Sequence, residues 1–273
     1  MRTYPYIQSN IWTRKNIGDR ALIEEFLAVL SRDFPKGMPT EWGDVRPFRV
    51  RSTARNYGEA ADFWEEQSKG YNIVFGRTRA GFRGLSKITA SFACGPASRR
   101  THTVDVEFKE NVAGDPDATA SALRALTARW IEILEPDFAR VCSDEEWRAK
   151  HVVESYLEAD GSTTPWKVFH QNIVDGLPGV YWLTYFGRMF VDWIGEARFS
   201  QRVWPSAKKV ANGYLLQRSE CVSTWRTEQE LDELLIRHLG TDRFFDKREP
   251  CRWVTAPNFD MPNPYAFDPP EQL

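Results

Sequence analysis

Cysteine is scarce in this 273-residue chain, and the four that occur, Cys94, Cys142, Cys221 and Cys251, lie far apart. Without a Cys-x-x-Cys pair or histidines at finger spacing, they argue against both a zinc knuckle and a dense disulfide scaffold, and they read as free thiols in a reducing compartment. No apolar run approaches the roughly 18 residues that would span a bilayer. The amino-terminal stretch "MRTYPYIQSNIWTRKN" carries no apolar core before a small-residue cleavage site. The expectation is a cytoplasmic protein with no membrane partner. An excess of positive charge is absent too: 36 basic against 38 acidic side chains leave a net charge of −2, so direct binding of nucleic acid is not expected.

Signatures of chemistry are equally thin. His102, His151, His170 and His238 include no pair at i and i+4, and there is no Gly-x-Ser-x-Gly elbow and no phosphate-binding glycine loop. Neither a cofactor nor a metal site is indicated. One enzymatic alternative stays open: "DVEFKE" places Asp105, Glu107 and Lys109 on one face of a strand, half of the carboxylate and lysine set of a metal-dependent nuclease or hydrolase. That chemistry needs an acid on an adjoining strand, and none occurs between Glu66 and Asp105. An acid would have to be brought in by folding from elsewhere.

What the chain does have is a large apolar and aromatic complement, 42% and 14% of its residues, enough to fill the core of a folded unit of this length. Asp19 precedes apolar residues at helical spacing up to Asp33, and "YGEAADFWEEQS" forms a second amphipathic segment. "YNIVFG", "KITASFAC" and "HTVDVEFKE" then alternate with period two between turns, which predicts an antiparallel meander. Asp115-Pro116 starts a helix to about Leu134, Ser143 and Thr227 have capping-box spacing to Glu146 and Glu230, and Asn212-Gly213 signals a hairpin. This mixture predicts an α+β protein, antiparallel strands packed with helices in a mixed two-layer architecture. The expected unit covers 1–256, as one domain or as packed halves 1–140 and 141–256. The last seventeen residues, from Pro257, hold five prolines and form a strap or a tail.

The stretch "LPGVYWLTYFG" (177–187) is bulky on both alternating faces, as a central strand covered on both sides should be. "GLPGVYWLTYFGRMFVDWIG" resembles the signature of the bacterial immunity protein 52 family at Pro178, Gly179, Tyr181, Trp182, Tyr185, Phe186, Gly187 and Gly195. The resemblance implies a protein without catalysis of its own, which binds and neutralises a cognate secreted antibacterial toxin, often a nuclease and here expected to be an effector of a type VI secretion system. It carries over no binding residue. An inhibitor of a basic-grooved nuclease would gain association rate by presenting carboxylates, and the candidates are Asp62, Glu65 and Glu66 on one helix with Glu228, Asp232 and Glu233 on another. The competing reading of these acids is an ordinary solvated helix face. A structural adaptor that docks through the proline-rich tail is the remaining alternative.

Overall fold

The computed structural model describes residues 6–35, 38–43, 50–51, 56–70, 72–77, 85–92, 101–109, 115–157, 163–168, 173–201, 203–249 and 252–259. Cys94, Cys251, His170 and the tail beyond Phe259 fall outside them. The fold is α+β, as expected. Ten strands make one antiparallel sheet: β1 (Tyr6–Thr13), β2 (Glu41–Gly43), β3 (Val50–Arg51), β4 (Val74–Arg77), β5 (Leu85–Ser91), β6 (His102–Lys109), β7 (Phe138–Ser143), β10 (Leu183–Phe186), β11 (Ser206–Val210) and β12 (Gly213–Gln217). Their order is β11-β12-β10-β7-β1-β6-β5-β4-β2-β3, and β8 (Val152–Leu157) with β9 (Thr163–Val168) forms a separate hairpin. The meander is there as β4, β5 and β6. β1 enters between β6 and β7, so a single sheet runs through chain segments on both sides of residue 140.

Local signals set most helix starts. The Asp19 carboxylate accepts from the Leu22 amide at 3.0 Å to open α1 (Arg20–Asp33), and Asp115 accepts from Ala118 at 2.8 Å to open α3 (Pro116–Leu134). α1, α2 (Gly58–Lys69) and α3 cover one face of the sheet. There Phe26 stacks on Trp130 at 4.6 Å, Trp64 meets Phe26 edge-on at 5.9 Å, and Val104, Val106 and Phe108 of β6 supply the floor. Alternation in β7 separates the two faces. Ala139 and Val141 join this core, while Phe138 and Cys142 join a second one beneath α4 (Asp144–His151), α5 (Arg188–Ile194) and α6 (Gln229–Leu239). At the end of the second core lies Phe259, 1% exposed and 5.9 Å from Phe190, so the proline-rich segment begins packed against the body.

Three expectations are corrected. The capping box at Thr227 does not form: Thr227 Oγ1 donates to the Thr224 carbonyl within a 3-10 turn, Val222–Thr227, and α6 starts after Glu228 with no side-chain cap. The hairpin is displaced by one residue. Val210 pairs with Gly213, leaving Ala211 (φ +49°) and Asn212 as the turn, because Gly213 is needed on the strand: a Cβ there would lie 2.1 Å from the Phe186 carbonyl oxygen. The central strand is shorter than its aromatic run, since only Leu183–Phe186 pair between β7 and β12, all four buried.

Gly187 ends that strand against the preceding chain. A Cβ at this position would lie 2.3 Å from the Pro136 carbonyl oxygen and 2.9 Å from that of Asp137. Gly187→Ala is therefore expected to cost about 1–3 kcal/mol by overpacking, measured as a lower urea midpoint. An unchanged midpoint would mean that the β7 and β10 ends separate freely.

Candidate functional site

Residues 178–182 cross from the end of one core to the start of β10, and Gly179 holds φ +144°, where side chains are disfavoured. The turn directs Tyr181 inward. Its hydroxyl accepts from Arg140 Nη1 at 2.9 Å and lies 2.6 Å from His151 Nε2 and 3.0 Å from the Pro178 carbonyl oxygen, the two acceptors for its one proton. Arg140, on β7, also donates to Asn10 Oδ1 at 2.9 Å and to His151 Nε2 at 2.7 Å. A guanidinium can only donate, so Nε2 accepts and the ring proton of His151 resides on Nδ1. Trp147, His151 and Tyr181 stack nearly parallel, and the Arg140 charge lies 4.9 Å from the Tyr181 ring centre and 5.3 Å from that of Trp12.

An ionic cluster adjoins this stack. Arg218, at the end of β12, is fully buried and donates through Nη1 to Glu146 at 2.5 Å and Asp232 at 3.0 Å, and through Nε to Glu228 at 3.1 Å. Lys150 donates to Glu146 at 2.7 Å, to Asp232 at 2.5 Å and to the Val180 carbonyl. Burial by itself would lower the Arg218 pKa, but Glu146 and Asp232 outweigh it and raise it above the ordinary value. Thus Glu146, which the sequence offers as half of a capping box, turns its carboxylate to Arg218 and Lys150. Only the Ser143 half of that box is made, accepting from the Glu146 amide at 3.0 Å.

Neither group is set up as a nucleophile. Burial raises the Tyr181 phenol above its usual pKa and pushes the Cys142 thiol up to about 12, so both stay protonated at neutral pH.

Beside the cluster, α6 and the chain that follows it enclose a depression of about 330 Å³, with Pro178–Val180 and Lys150 on one side and Ile236, Phe245 and Trp225 on others. A second, of about 230 Å³, adjoins it across Glu233, Ile236 and Phe245. Together they form a groove along α6.

The six acids proposed for a partner part company here. Asp62, Glu65 and Glu66 are on α2, over the other face of the sheet, where Asp62 pairs with Arg20 at 3.0 Å and Glu66 with Lys69 at 3.2 Å, with Glu65 at 3.8 Å from the same lysine. Asp232 is not a surface residue: it is 6% exposed and bound to Arg218 and Lys150. Glu228 leans inward to Arg218. Glu233 stays exposed, on the wall shared by the two depressions.

Asp105, Glu107 and Lys109 do share one face of β6. Asp105 accepts from Asn10 Nδ2 at 2.7 Å. In register across from Asp105 stand Asn10 and Thr89, and across from Glu107 stand Gln8 and Lys87. Asn10, Gln8 and Thr89 thus bring amides and a hydroxyl where a shared cation would need carboxylates. Among the described residues no three His, Cys, Asp or Glu side chains are grouped to hold a metal, and no helix is long and apolar enough to cross a membrane.

Sequence reasoning missed Arg140, His151, Lys150 and Arg218. Glu146 and Lys150 stand one helical turn apart, a spacing equally typical of a solvated surface pair, and nothing marks Arg218.

No family model and no curated protein matches the chain. Among solved structures, a Pseudomonas aeruginosa T6SS protein is similar at 11% identity over 91% of this chain and 86% of that one, with a TM-score of 0.49.

Proposed function

We propose that this chain is an immunity protein, which binds a cognate secreted antibacterial toxin and neutralises it by direct contact, without catalysis of its own. The toxin in this reading is a nuclease effector of a type VI secretion system, met in the cytoplasm. The observation that carries the proposal is how the buried charges are spent: Arg218, Lys150, Glu146 and Asp232 satisfy one another, and the aromatic signature around them is fully buried. An inhibitor requires this combination of a stiff frame and an outer binding face, whereas catalysis requires groups left free to act on a substrate. The resemblance of residues 176–195 to the immunity protein 52 signature supports the same reading.

Co-expression tests it. The product of the neighbouring toxin frame should kill cells alone, be tolerated when this chain is present, and co-purify with it. Affinity should fall as salt is raised if carboxylates steer the encounter. Absence of both a complex and protection would end the proposal.

A further inference from the structure

The groove beside α6 carries an asymmetry that names an occupant. Of the charges lining its larger depression, Lys150 and Asp232 are bound to each other, Arg248 is bound to Asp246 at 2.8 Å, and Lys247 donates to the Ala149 and Val152 carbonyls at the end of α4. Glu233 has neither a hydrogen bond nor an ion pair among the described residues, and it acts on Arg248 only as a lesser charge through space, behind Asp246. Arg237, one turn further along α6, lines only the smaller depression and makes no ion pair with it.

Apolar and unsatisfied groups also stand on the walls around this carboxylate. Ile236 and Phe245 flank it, and the indole N–H of Trp225, a residue 7% exposed, has no acceptor among the described residues. Leu234 is 46% and Trp253 86% exposed, two of the four large hydrophobic side chains most open to solvent among the described residues, each next in sequence to a lining residue, Glu233 or Arg252. An exposed tryptophan next in sequence to the lining of a cleft that joins apolar side chains to an unpaired carboxylate has the composition of an interface centre.

We infer that this groove is a partner-docking site in which Glu233 receives an arginine or lysine side chain. The aliphatic stem lies along Ile236 and Phe245 while the cationic head meets the carboxylate. That the partner is the toxin rests on the immunity reading; that the groove selects a basic side chain does not.

Two titrations separate them. N-acetylarginine amide at millimolar concentration, followed by NMR at the Trp225 indole signal, should shift that signal, whereas N-acetylnorleucine amide should not, and Glu233→Gln should abolish the shift. Among the described residues the Glu233 side chain makes no hydrogen bond or ion pair, so this variant is expected to fold as the parent does. In calorimetry with the toxin, Glu233→Gln should weaken binding about tenfold and flatten its salt dependence, and Trp253→Ala should weaken it as well. Toxin binding that is tight yet indifferent to Glu233, with no Glu233-dependent probe shift, overturns the inference and leaves the immunity reading standing. A Glu233-dependent arginine shift without any toxin complex does the reverse.

Discussion

Replacing Arg218 by methionine is expected to destabilise the protein by about 3–5 kcal/mol, the cost of stranding buried carboxylates without their cation. Glu146 is 0% and Asp232 6% exposed, and with Arg218 gone Lys150 alone would have to serve both. Chemical denaturation should show a lower midpoint with an unchanged slope. Adding Glu146→Gln to the variant should recover part of the loss, because it removes one stranded charge. A loss below about 1 kcal/mol would show that water reaches the cluster and that its ion pairs behave like surface pairs. Apolar replacement of the whole cluster is a different experiment, and such swaps can be neutral. The role of the charges is then to set which way β12, α4 and α6 meet, since Arg218 directly follows β12 while Glu146 and Asp232 belong to α4 and α6.

Trp182→Ala is the second large effect, about 3–5 kcal/mol. Trp182 is fully buried, contributes to the core beneath α1–α3, and donates its indole N–H to the Ser219 carbonyl at 2.9 Å. Truncation opens a cavity and leaves that carbonyl with the Gln217 side-chain amide, at 2.6 Å, in place of two donors. Trp182→Phe refills most of the space and should lose markedly less. Neither residue reaches the surface, so a folded Trp182→Phe protein should bind its partner like the parent. Loss of binding at full stability would show that the signature contacts the partner and is more than frame.

Much of the frame is legible in the order of residues. The caps Asp19, Asp115 and Ser143 depend on an oxygen placed three residues ahead of an amide, and such a spacing is written in the chain. The alternation of β6 and the two-sided bulk of Leu183–Phe186 likewise announce one wet face and none. The groove is not legible in this way, because its walls come from α4, the 178–180 turn, α6, residues 244–248 and Arg252, segments that no periodicity links. The acids show why. Asp232 and Glu233 are neighbours in sequence, yet one is locked under Arg218 and the other has no ion pair among the described residues.

Alone, then, the sequence determined the α+β class, the strand meander, most helix starts and the buried character of the aromatic signature, since each follows from contacts within a few residues. Only the tertiary structure decided which charges are spent internally. Arg218 meets Glu146 across 72 positions of chain, and the same remoteness governs Thr227, whose capping position yielded to the packing of the 3-10 turn before α6. A carboxylate reads the same in sequence whether it faces water or a buried guanidinium. Its surroundings, built by segments far apart in the chain, set its role.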